Sequence, residues 1–202
     1  VGKTWIIKEF GRTQYKKMAY VNFDNNERME NLFAGNFDIK SLITGLQIEA
    51  QVSIEANNTL IVFDEIQEVP RALTSLKYFF ENAPQYHIVA AGSLLGVALH
   101  PGTSFPVGKV EFFDLFPLSF VEFLEATGND NLVSLLKAKD FEMITVFKNL
   151  FIDLLKQYYY VGGMPEAVNC FIETNSYEKV REVQNRLLIA YEQDFSKHAP
   201  NE

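Results

Sequence analysis

The chain has 202 residues, 48% of them hydrophobic, enough to fill the core of one domain and a smaller appendage. A formal net charge of −8 and a pI near 5.0 argue against a nucleic-acid surface spread over this segment, because such binding rests on clustered Lys and Arg. Cys170 is the only cysteine, so no internal disulfide forms; no apolar run reaches the roughly 18 residues that span a bilayer, no signal peptide is visible, and the expected address is the cytoplasm.

In chain order, Val1-Gly2-Lys3-Thr4 reads as the last half of a phosphate-binding loop, G-x-x-x-x-G-K-[ST]. In that loop the Lys reaches the β- and γ-phosphates and the Thr hydroxyl holds magnesium. Gly-Lys-Thr alone arises often by chance. The chain is expected to begin inside the motif, with the first loop glycine preceding Val1. Residues 5–10 read as the helix after the loop, ending near Gly11, its free N-terminal amides and positive dipole end toward the phosphates. A strand alternates over 19–23, with Asp24-Asn25-Asn26 as its turn. Helices are predicted over 27–33 and 38–56, the second carrying Ile39, Leu42, Ile43 and Leu46 at helical spacing.

The chain is organised around Thr59-Leu60-Ile61-Val62-Phe63-Asp64-Glu65. Four consecutive apolar residues between Asn57-Asn58 and two carboxylates read as a strand buried on both faces of a parallel sheet. A carboxylate at the C-terminal tip of such a strand sits in the crevice where open α/β sheets bind ligands. Asp64 is expected to complete the magnesium shell begun by Thr4. Glu65 is expected to orient and polarise the water that attacks a phosphoanhydride. The plain alternative is a strand that ends in an exposed acidic turn.

Pro70 opens a helix bearing Leu73, Leu76, Phe79 and Phe80. A second short buried strand over 87–91 ends at Gly92-Ser93, where Ser93 can approach the γ-phosphate; a Gly-Ser turn accounts for it nearly as well. Residues 99–108 read as a loop and 109–113 as a final strand, whose Lys109 either brings charge to phosphates or begins an edge strand. His87, His100 and His198 are too scattered to suggest a metal cluster, and Cys170, in an apolar helical pattern, is expected to be a buried inert thiol. From Pro117 the pattern turns purely helical, over 119–126, 131–137, 144–160, 165–174 and 177–195. Gly162-Gly163-Met164-Pro165 is ordinary punctuation between two of these helices, or a rigid turn that walls an adenine. The tail from His198 carries no stop signal, so the chain is expected to continue.

Five segments together resemble the prokaryotic AAA-like ATPases that carry a C-terminal domain of unknown function. They are Val1-Gly2-Lys3-Thr4, Leu60 through Gln67, Ala91-Gly92-Ser93, Gly108-Lys109-Val110 with Pro117-Leu118-Ser119-Phe120-Val121-Glu122-Phe123-Leu124, and Gly162-Gly163-Met164-Pro165-Glu166. The resemblance covers essentially the whole chain. Its specific part is the Pro-Leu-Ser-Phe-x-Glu-Phe segment, which generic phosphate-loop enzymes lack. It implies an α/β fold: a P-loop NTPase parallel sheet of AAA type with strand order 5-1-4-3-2, lacking its first strand, followed by an all-helical lid region. The ATPase core would span 1–117, and 118–202 would hold the lid and the start of a C-terminal domain that is nuclease-like in relatives.

The resemblance further implies ATP and Mg2+ as ligands. It casts Gly2, Lys3 and Thr4 as the phosphate loop, Asp64 and Glu65 as the metal and water residues, Ser93 as the sensor polar residue, and Gly163 and Pro165 as the lid turn that touches adenine. Where relatives carry Arg after a glycine, this chain has Lys109, which keeps the charge but not the bidentate fork. The absent strand would be the shared neighbour of those ending at Ala91 and beginning at Lys109, so this piece alone is expected to be poorly stable and to bind ATP weakly. The expected function is ATP hydrolysis coupled to a conformational change of the C-terminal domain. Two alternatives stay open: a slow nucleotide-dependent switch acting through a protein partner or further copies of itself, and the motor part of a nucleic-acid enzyme, which the acidic balance of this segment does not support. No membrane contact is expected.

Overall fold

The computed structural model describes residues 2–92 and 108–198. It divides into two compact units, Gly2–Asp114 and a second from Leu115 on.

In the first unit, β1 (Lys17–Asn22), β2 (Thr59–Asp64) and β3 (His87–Ala90) form a parallel sheet in the order β1-β2-β3. The register pairs Asn22 with Asp64 and Phe63 with Ala90. These three neighbours match the run 4-3-2 of the implied order. Every residue of β2 is buried, as an unbroken apolar run requires when both edges are paired and both faces covered.

Helices α1 (Lys3–Gln14), α2 (Glu27–Ala34), α3 (Ile39–Ala50) and α4 (Pro70–Asn82) make the crossovers. On one sheet face Ala19, Val21, Phe23, Ile61 and Phe63 pack with Phe33, Leu46 and Phe79. The rings of Phe23, Phe33 and Phe63 meet pairwise at 5.2 to 5.8 Å, contacts that contribute about 0.5–1.5 kcal/mol each beyond their area. Over the other face lies α1, whose buried Gly11 sits against Met18 and Leu60.

Three expectations for this unit need correction. Residues 109–113 form no strand: among the described residues nothing pairs with the outer edge of β3, and a strand without a partner leaves its N–H and C=O groups to water. Lys109 instead pairs with Glu81 at 3.6 Å and lies 5.0 Å from the ring centre of Phe80. The helix expected over 38–56 stops at Ala50, where Gln51 turns left-handed at φ 53 and the Gln47 Oε1 accepts the N–H of Ile54 at 2.8 Å. The first helix runs through Gly11 to Gln14, since one glycine inside a helix is tolerated when its turn packs closely on a strand.

The second unit holds α5 (Phe120–Ala126), α6 (Asp130–Ala138), α7 (Phe141–Val146), α8 (Lys148–Val161), α9 (Pro165–Thr174) and α10 (Tyr177–His198). The single helix expected over 144–160 is two, divided at Phe147. Asp140 caps the first by accepting the Met143 N–H at 3.1 Å, and the β-branched run Ile144-Thr145-Val146 weakens its continuation. Ser119 and Glu122 form a capping box on α5: the Ser119 N–H donates to the Glu122 carboxylate at 2.7 Å, and the Glu122 N–H to the Ser119 hydroxyl at 3.3 Å. The bonds from the Ser119 N–H and hydroxyl hold the Glu122 carboxyl below its ordinary range. Two small cores form, one around Phe123, Val161, Val168 and Phe171, the other around Leu124, Leu132, Phe151 and Leu154. Cys170 is half-buried against the first. No described helix is long and apolar enough to cross a membrane.

Gly163 shows why the turn before α9 needs its glycine. Its carbonyl accepts the Leu118 N–H at 2.7 Å, and a Cβ there would lie 2.2 Å from the Leu118 carbonyl oxygen. Because the neighbour is backbone, no side chain can swing aside. Gly163→Ala is expected to destabilise the protein by about 1–3 kcal/mol or more, read as a lower denaturation midpoint; an unchanged midpoint would refute this close approach.

Candidate functional site

Two strand tips and one helix start converge in the first unit. Gly2 occupies the N-cap of α1 at φ 89, ψ −13, a conformation that glycine adopts at no steric cost, and among the described residues no side chain caps this helix start. From the next residue, Lys3 Nζ donates to the Gly92 carbonyl just past β3 at 2.5 Å. Thr4 Oγ1 donates to Asp64 Oδ2 at the end of β2, at 2.9 Å. Residues sixty positions apart thus share one hydrogen bond, and Gly2, Lys3, Thr4 and Asp64 are gathered at the same end of the sheet.

Asp64 is only 4% exposed, and its surroundings fix it closely. Its carbonyl accepts the Phe23 N–H at 2.9 Å, extending the β1–β2 ladder, and its Oδ1 accepts the Glu65 N–H at 3.2 Å. The shortest bond comes from a residue that the sequence reading did not select: Tyr20 donates its hydroxyl to Asp64 Oδ2 at 2.6 Å. The signal was present in the alternation of β1. Ala19 and Val21 face the aromatic core, so Tyr20 faces the other side, in register with Val62 and one diagonal step from Asp64. Burial, then the bond to Asp64, push the Tyr20 phenol pKa upward, keeping it a neutral donor. Lys8 Nζ stands 4.3 Å from the centre of the same ring.

Glu65 leaves β2 in the left-handed region, at φ 53 and ψ 44, which costs a non-glycine residue about 1 kcal/mol or more. The chain then makes a 3₁₀ turn, Ile66–Glu68, pinned by the buried Ile66, whose N–H donates to the Ala91 carbonyl at 3.1 Å. Gln67 Nε2 donates to Glu65 Oε2 at 2.6 Å.

Of the remaining expected site residues, Ser93 lies outside the described residues, as does His100. Gly163 and Pro165 belong to the second unit, where Pro165 opens α9. His87 begins β3 and shares a hydrogen bond of 2.9 Å between its Nδ1 and the Tyr15 hydroxyl.

The donor chemistry fits a magnesium nucleotide. Mg2+ takes hard oxygen ligands, commonly one or two carboxylates completed by substrate phosphates and waters, and Asp64 with Thr4 offers a carboxylate beside a hydroxyl. The Lys3 ammonium and the uncapped start of α1 suit phosphate oxygens. Among the described residues no three His, Cys, Asp or Glu side chains cluster into an all-protein metal cage.

A parallel sheet with helical crossovers, carrying a Gly-Lys-Thr helix start against a strand-tip carboxylate, defines a nucleotide-binding α/β protein of the P-loop class. Residues 1–124, more than half of the chain, match the AAA domain family, and the chain belongs to that family. Residues 152–202 match a domain of unknown function, DUF8612. No curated protein and no solved structure matches the chain. Family membership makes the first unit an ATPase-like nucleotide-binding domain.

Proposed function

We propose that this protein is a Mg-dependent ATPase that works in the cytoplasm and couples ATP hydrolysis to a conformational change of its C-terminal domain. The observation that carries the reading is the Thr4 hydroxyl held against the Asp64 carboxylate at 2.9 Å, with Lys3 beside it. Thr4 and Asp64 would hold Mg2+, which when bound neutralises charge on the transferred phosphoryl group. Lys3 and the first amides of α1 bind and orient the phosphates. Glu65, turned out of the strand by its left-handed backbone, orients the attacking water and draws off its proton. In this reading Ser93 would serve as the γ-phosphate sensor, Gly163 and Pro165 as the turn that touches adenine, and the helices from residue 118 as a lid.

Tyr20 positions the Asp64 carboxylate, and hydrogen-bond partners of ligating groups typically govern metal affinity by about 10–100-fold. Phosphate release by the full-length protein is therefore expected to require Mg2+, and Tyr20→Phe to raise the Mg2+ concentration for half-maximal rate by about tenfold. A rate in chelator equal to that in Mg2+ would sink the Mg-dependent reading. Turnover slower than minutes with nucleotide-dependent oligomer size would replace it with a switch.

A further inference from the structure

We propose that Gln67 is a positioning residue for Glu65, clamping its carboxylate where it addresses the attacking water. This inference rests on the role assigned to Glu65 above. Three observations carry it. The side-chain amide of Gln67 donates to Glu65 Oε2 at 2.6 Å, a short charge-assisted bond to a carboxylate. Glu65 itself is held in a left-handed backbone conformation that most residues avoid, with φ 53. The Gln67 Oε1 is buried and has no hydrogen-bond partner among the described residues, a state that destabilises the fold and calls for an explanation wherever it occurs.

A glutamine placed only to finish a turn would satisfy backbone groups. The turn is already closed without it: the Glu68 N–H donates to the Glu65 carbonyl and the Val69 N–H to the Ile66 carbonyl, both at 3.1 Å. The Gln67 amide gives its donor to the Glu65 side chain and leaves its acceptor unmatched among the described residues. The left-handed step at Glu65 makes this possible, because it folds residue 67 back toward residue 65 across one turn. An unsatisfied acceptor on Gln67 and a strained backbone at Glu65, the residue proposed to handle water, are what a preorganised site retains at the expense of local stability.

The test uses single-turnover ATP hydrolysis by the full-length protein. Gln67→Met keeps the shape of the side chain and removes the amide. It is expected to slow the chemical step by about tenfold while leaving Mg-ATP affinity within about twofold and the melting temperature no lower. Gln67→Asn, one methylene short of the reach, is expected to behave the same way. In a Glu65→Gln background, Gln67→Met is expected to slow the reaction no further, because residues that act as a unit are not additive. An unchanged rate in Gln67→Met, an equal additional loss in the double variant, or a fall in affinity that matches the fall in rate would each overturn the proposal. If Glu65→Gln alone kept the full rate, the reading of Glu65 itself would fall, a result distinct from a failure at Gln67.

Discussion

Glu65→Gln is expected to lower the hydrolysis rate of the full-length protein by about 10²–10⁴-fold, the range over which a positioned base contributes, while Mg-ATP binding stays near its original strength. The substitution suits the question because it changes charge and basicity but not shape. The backbone at φ 53 accommodates Gln as it does Glu, and Gln67 Nε2 keeps an acceptor within reach. Phosphate release and nucleotide affinity, measured on the same preparation, separate chemistry from binding. A rate within about threefold of the parent would remove Glu65 from the reaction.

Lys3→Ala is expected to act on binding instead. A hydrogen bond to a charged group contributes about 1.5–3 kcal/mol, so losing the ammonium at the phosphates should weaken Mg-ATP binding by about 10- to 150-fold. The same side chain donates to the Gly92 carbonyl at 2.5 Å, so part of any effect belongs to the link between α1 and the tip of β3. Lys3→Arg separates the two contributions, since it keeps the charge but not the compact ammonium. Isothermal titration with Mg-ATP reads both variants. Affinity preserved in Lys3→Ala would mean that this helix start holds no phosphate.

Much of the architecture was legible because a few residue patterns permit one solution. Leu60-Ile61-Val62-Phe63 has no polar position for a solvent-facing side, so a strand covered on both faces follows, and β2 is buried throughout. Pro70 and Pro165 mark helix starts at the residue, because proline fits the first turn where its missing N–H is not needed. The meeting of Thr4 with Asp64 follows from two motifs placed by the parallel crossover rule.

What escaped depends on neighbours rather than on local pattern. A strand over 109–113 has suitable residues, yet pairing decides strands, and no partner lies beside β3 among the described residues. Asp140 was readable as a helix cap, and its capping bond explains why α7 begins three residues ahead of the expected start. Ser119-x-x-Glu122, quoted as part of a family signature, is also a capping box, so some of that signature encodes a helix start. Tyr20 carries no motif, and Gln67, although it closes a segment shared with the family, has no role that its place in that segment assigns. Each shows itself only through the carboxylate it reaches.

Phe63 and Asp64 are consecutive residues of one strand, the first wedged between the rings of Phe23 and Phe33, the second carrying the carboxylate that meets Thr4. An oily hub and a reactive rim are therefore welded at a single peptide bond. Trimming Phe33, which has no polar side-chain atom to offer the chemistry, would tilt the seat from which the acid reaches its partners. In this chain the freedom of the interior to drift over evolutionary time is limited by the job done at its edge.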